Sequence, residues 1–120
     1  MAGIVAAGAN LMLGGLTANA GFVSLHTADP GLTGTSEVTG GSPAYARKAI
    51  AWTAASASAT SNSGQIVFDV PTGITIRYLG YWSASTGGTF YGSRILDTAQ
   101  TYTSQGTYTL AIGAIAESIA

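Results

Sequence analysis

A mainly β fold, an antiparallel sandwich or jelly-roll-like barrel carrying a short N-terminal helix or arm, is what this sequence predicts. Three observations lead there. Short runs of alternating large and small or polar side chains recur from Gly21 onwards, at the period of a half-buried strand. Turn residues separate them at short intervals: Asp29-Pro30-Gly31, Pro71-Thr72-Gly73, Ser85-Thr86-Gly87-Gly88 and Ser104-Gln105-Gly106. No strand–helix–strand rhythm or internal repeat interrupts the series. With 120 residues, 47% of them hydrophobic, the chain holds one core of ordinary size.

The first element differs from the rest. Residues 1–20 read as a helical segment or arm, with a helix over about Ala2–Leu13 stopped by Gly14-Gly15. Ile4, Leu11 and Met12, with Val5 and Leu16, form its apolar side. Ala18-Asn19-Ala20 imitates a signal-peptidase site, but a secretory signal needs an early basic region, and the first positive charge is Arg47. Asn10, Thr17, Asn19 and the glycines at 3, 8, 14, 15 and 21 break the stretch too often for a membrane span.

Residues 21–120 are expected to form a single β-sandwich domain. Its first strand, Gly21–His26, ends at the Asp-Pro-Gly turn, and a Gly/Thr/Ser-rich loop runs from Leu32 to Pro43. Ala49–Thr53 alternates as a strand with Ile50 and Trp52 on one face; Ala54–Gly64 reads as a long exposed loop of low complexity. Ile66, Phe68 and Val70 share the core face of the next strand. After Pro71-Thr72-Gly73, Ile74, Ile76, Tyr78, Gly80 and Trp82 fall on one parity, and Thr75, Arg77, Leu79 and Tyr81 on the other. The Gly-Gly connection leads into Thr89-Phe90-Tyr91 as a hairpin. Thr101–Thr103 is a short strand. The last strand spans Tyr108–Ile119, with Tyr108, Leu110 and Ile112 together and a bulge at Gly113. Both tryptophans count as core by parity, which leaves Tyr81 and Tyr91 as the aromatics offered for an exposed contact.

Charge narrows the function. Asp, Glu, Lys and Arg make up 8% of the chain, against about 25% in a typical soluble domain. A surface of Ser, Thr, Gly and Ala loses little hydration energy when covered, so the composition favours burial in an assembly. A net charge of −1 and four scattered basic residues, Arg47, Lys48, Arg77 and Arg94, supply no phosphate-binding patch, so no nucleic-acid partner is expected. No membrane partner is expected either. Without cysteine there is no disulfide framework, thiolate nucleophile or Cys-based zinc site.

Catalysis finds little footing. His26 is the sole histidine and stands beside Thr27 and Asp29, where a hydroxyl and a carboxylate cap a turn. Gly40-Gly41-Ser42-Pro43-Ala44 lacks the last glycine of a nucleophile elbow, and Pro43 has no N–H to donate. Asp29, Glu37, Asp69, Asp97 and Glu117 are too dispersed to form a pair or a calcium loop in sequence. No catalytic residue, cofactor or metal is therefore assigned.

Several strings together resemble a family of small tailed-phage structural proteins, of the actinobacteriophage head decoration and minor tail type. They are Leu25-His26-Thr27-Ala28-Asp29-Pro30-Gly31, Glu37-Val38-Thr39-Gly40-Gly41, Ala44-Tyr45-Ala46-Arg47, Phe68-Asp69-Val70-Pro71, Tyr78-Leu79-Gly80-Tyr81-Trp82 and Ala84-Ser85-Thr86-Gly87-Gly88. The chain departs at Ser83, where members often carry an acidic residue. The resemblance implies a non-enzymatic virion component made in the host cytoplasm. Of two placements, a capsid decoration protein on the outer shell is favoured, binding the major capsid protein as a homo-oligomer such as a trimer. The other is a minor tail or fibre subunit that meets neighbouring tail proteins and host glycan. Ile4, Leu11, Met12, Leu16, Tyr45, Arg47, Tyr81 and Tyr91 are the candidate assembly contacts; Glu37 and Arg47, which flank the Gly-rich loop, read either as an ion pair that pins it or as two unrelated solvated charges.

Overall fold

The computed structural model describes residues 18–53 and 59–118. The expected N-terminal helix, with Ile4, Leu11, Met12 and Leu16, lies outside the described residues. Eight strands follow: β1 (Phe22–His26), β2 (Lys48–Ala49), β3 (Ala59–Ser61), β4 (Ile66–Val70), β5 (Ile74–Trp82), β6 (Phe90–Tyr102), β7 (Gly106–Leu110) and β8 (Ala116–Ser118). All pairings among them are antiparallel. One sheet runs β2-β1-β5-β6, and two ribbons, β4-β7 and β3-β8, complete the architecture. The mainly β, sandwich-type expectation holds.

The core lies between the large sheet and the β4-β7 ribbon. Val23 and Leu25 of β1 and Ile76, Leu79 and Tyr81 of β5 meet Ile66, Phe68 and Val70 of β4 and Leu110 of β7. Alternation places the β4 residues as expected, since burial switches on and off along Ile66–Val70 with period two. Phe68 is among the largest fully buried side chains, and Tyr45 stacks on it at 6.4 Å between ring centroids.

Along β5 the expected parity fails at a definite place. Register shifts between Ile76 and Tyr78, where Arg77 alone stands opposite Leu96 to Ala99 of β6. An irregularity of this kind re-aims the side chains beyond it. Leu79 and Tyr81 therefore join Ile76 in the core, while Gly80 and Trp82 turn to the opposite face. Tyr81, expected to be exposed, is only 4% exposed and packs edge-on to Trp52 at 5.7 Å. Trp82 is buried as expected, but outside the main core.

Three further expectations need correction. The Ser/Ala/Thr segment is not wholly a loop: its end forms β3, paired with β8, and Thr60 and Asn62 are buried. Thr101–Thr103 is no separate strand, because β6 runs continuously to Tyr102 opposite β5. The final strand is interrupted, since β7 ends at Leu110 and a turn containing Gly113 (φ 80°) redirects the chain into β8. Ile112 sits in that turn, 70% exposed, instead of alongside Leu110. Asn62 holds the turn. Its amide donates to Gly64 O and Ala111 O at 2.8 and 2.9 Å, and its Oδ1 accepts from Ile115 N at 2.9 Å.

β1 is covered on both sides. Val23 and Leu25 face the core; Ser24 and His26 face the other way and are also buried. A flap, residues 27–47, closes over that second face. Residues 36–38 of the flap run beside β1, with Thr27 N donating to Ser36 O and Val38 N to Leu25 O, each at 3.0 Å. His26 stands opposite Glu37 in this pairing, which puts both on the outer face.

Candidate functional site

Beneath the flap lies the most polar buried cluster among the described residues, built on β1 and β5 with one charged lid. Directly paired residues of an antiparallel ladder share a face. The register Ser24↔Gly80 and Phe22↔Trp82 therefore brings Ser24, His26, Gly80 and Trp82 together. Gly80 leaves the room they need: a Cβ there would overlap Ser24 Oγ and stand 2.6 Å from His26 Nε2. Gly34 of the flap (φ 80°) lies flat on the Trp82 ring, where a Cβ would also overlap.

Hydrogen bonds order the cluster. Trp82 Nε1 donates to Ser24 Oγ at 2.8 Å, Ser24 Oγ lies 2.6 Å from His26 Nε2, and His26 Nδ1 lies 2.7 Å from Thr35 O. Indole N–H only donates and a carbonyl only accepts. His26 Nδ1 must therefore carry a proton, and the Ser24 hydroxyl donates its hydrogen to an unprotonated Nε2. Among the described residues every buried side-chain nitrogen and oxygen has a hydrogen-bond partner. Burial, the largest influence, pushes the His26 pKa below the ordinary histidine value, although the Thr35 carbonyl and the Glu37 carboxylate oppose it.

The lid is Arg47. Its guanidinium lies 3.6 Å from the Trp82 ring centroid. Nε and Nη2 donate to Glu37 Oε2 and Oε1, both at 3.0 Å, in the two-pronged geometry that suits a carboxylate. Nη1 donates to Ala84 O at 3.0 Å and Gly87 O at 2.8 Å, on either side of the β5-β6 hairpin tip. One side chain thus ties together the flap, the entry to β2 and the hairpin. Of the two readings of Glu37 and Arg47, the structure shows the ion pair. Tyr45 Oη donates to Glu37 Oε2 at 2.8 Å and accepts from Leu25 N at 3.0 Å, so it anchors the flap to β1. Its phenol pKa is raised, chiefly by burial. Above this clamp an open groove of about 390 Å³ is lined by Glu37, Tyr45, Arg47, Thr86 and Gly87.

Chemically, the cluster is a structural lock. Ser24 and His26 approach as a nucleophile and base would, yet both are fully buried and the Ser24 oxygen already accepts from Trp82. A carbonyl, not a carboxylate, orients the imidazole. Asp29 caps its turn as expected, accepting from Gly31 N at 2.9 Å. Among the described residues no three His, Asp or Glu side chains gather as a metal site, and no helix is long and apolar enough to cross a membrane.

Of the sequence-derived candidates, the structure brings Tyr45 and Arg47 together at the clamp, committed to contacts within the chain. Tyr91 stands apart on β6, 42% exposed, and Tyr81 is in the core. Ser24, Asn62 and the indole of Trp82 were not singled out. Ser24 alternates with Val23 and Leu25 as a solvent-facing residue would, and only the flap folding back makes that side an interior.

No curated protein matches the chain. A family model described as podophage GP4 fiber I protein gp80 matches residues 6–118, nearly the whole length, including every strand and the clamp. The chain belongs to that family.

Proposed function

We propose that this chain is a structural subunit of a phage fibre, working by assembly and without a catalytic centre. Its membership of the family makes it a bacteriophage structural protein and a component of the virion. The finer placement rests on the family's description as a fibre protein, the single observation that carries it. Nothing of comparable weight supports capsid decoration, the placement favoured of the two that the resemblance implied. The low charge fits a fibre subunit equally well, because a weakly hydrated Ser/Thr/Ala surface is easily covered by a neighbour. Its partners are then further copies of itself and adjoining tail proteins. Glycan binding forms no part of the reading: Tyr81 is core, and Tyr91 alone makes no stacking platform. Gold-labelled antibody against the chain, imaged on intact particles, tests the placement. Label on the fibres is expected. Label spread over the head would overturn the fibre reading and restore decoration.

A further inference from the structure

One buried group, bonded at both of its ring nitrogens, is not used by the assembly role. His26 is fully buried, and its two ring nitrogens bridge β1 to the flap: Nε2 through Ser24 to Trp82, Nδ1 to the carbonyl of Thr35. The donor count closes only one way. Trp82 and His26 Nδ1 each give one hydrogen, Ser24 gives one, and Nε2 receives it.

A proton on Nε2 breaks that closure. Nε2–H would then point at Ser24 Oγ, which already accepts from Trp82. The Ser24 hydrogen would be displaced into a space bounded by Gly80, where even a Cβ does not fit. A buried donor without an acceptor is costly, and the added charge has no water to solvate it. Two charged groups face the ring. Glu37, its neighbour in the flap pairing, favours the cation; Arg47, over Trp82, opposes it. Glu37 is already bonded by both prongs of Arg47 and by Tyr45, so it is in no position to turn towards His26. Phe90, 6.3 Å from the imidazole, offers no polar partner.

We propose that His26 is a proton-operated latch for the flap: neutral imidazole holds residues 27–36 on the outer face of the sheet, and protonation of Nε2 releases them while Val38 and Tyr45 stay packed on the β4-β7 core. The sign follows from burial. A group less basic in the folded chain than in the unfolded one stabilises the fold above its unfolded pKa of about 6.5, and that stability is lost as pH falls. Release therefore occurs on the acid side, below about pH 6.5. Trp82 loses its Ser24 partner and the cover of Gly34 as this part of the flap lifts. Trp52, whose Nε1 donates to Ala20 O, stays in place.

With a single histidine, nitrogen NMR of the imidazole in the full chain reads the latch directly. At neutral pH the Nδ1–H tautomer is expected. As the pH falls, the Trp82 indole N–H signal should move with the same midpoint as the imidazole, while that of Trp52 and the far-ultraviolet β signature hold. In His26→Gln, which keeps a donor and an acceptor but cannot be charged, the Trp82 transition should vanish. Should that variant fail to fold, the wild-type tautomer and the matching midpoints decide alone. An Nε2–H tautomer at neutral pH, a Trp82 midpoint apart from that of His26, or simultaneous loss of the β signature would overturn the latch.

Discussion

Arg47 spends four N–H groups on Glu37, Ala84 and Gly87 and its planar face on Trp82, so its value lies in shape more than in charge. Lysine would keep the charge and lose both the fork and the stack. Arg47→Lys is expected to cost about 2–4 kcal/mol, the scale of a desolvated cation–π contact plus a charged hydrogen bond. Urea denaturation with an unchanged slope would measure it. An effect under about 0.5 kcal/mol, as for a surface pair, would mean that the clamp does not hold the flap. The sequence went far at this scale. Glu37 and Arg47 flank a Gly-rich loop, which made their pairing one of two readings, and Asp29-Pro30-Gly31 announced its own turn. Nothing in the residues indicated that Arg47 would lie over Trp82, because that contact joins positions 47 and 82 through the return of the flap.

Strands that alternate without interruption are legible in the sequence, and those with an irregular partner or only small side chains are not. β4 was read correctly because it alternates without interruption. β5 was misread beyond Ile76 because a period-two count assumes a regular partner, and the irregularity belongs to β6. β3 was missed because Ala, Ser and Thr look like a loop unless a partner strand is known, and β8 is more than fifty residues away. Asn62 joins that pairing to the Ala111–Ile115 turn through two side-chain hydrogen bonds. Replacing it with alanine leaves Ile115 N without its acceptor in a buried place. Asn62→Ala should cost about 1–3 kcal/mol, with faster amide exchange at Ile115 and in β3-β8 than in β4-β7. Uniform acceleration across both ribbons would show that the two unfold as one unit.

Taken whole, the domain carries few charges and leaves several large apolar side chains outside, among them Leu32, Ile95 and Ile112. Glu37 and Arg47, a fifth of its nine charged side chains, are both consumed by the clamp. A fibre subunit of this kind should associate with itself, and the full chain is expected to sediment as an oligomer at micromolar concentration. A monomer there, with fibres still labelled on particles, would mean that the contacts come from neighbouring proteins.

The clamp also divides the molecule into parts that can and cannot change. Arg47 grips Ala84 O and Gly87 O, the two sides of the hairpin tip, while Ser85 and Thr86 between them are exposed. Extra residues inserted between Ser85 and Thr86 would extend a stem that is already fastened at its base. A short peptide grafted there should be displayed with little change in melting temperature, whereas one placed within Glu37–Val38 should unfold the flap. The clamp thus makes the hairpin tip a natural point of variation on a fixed scaffold.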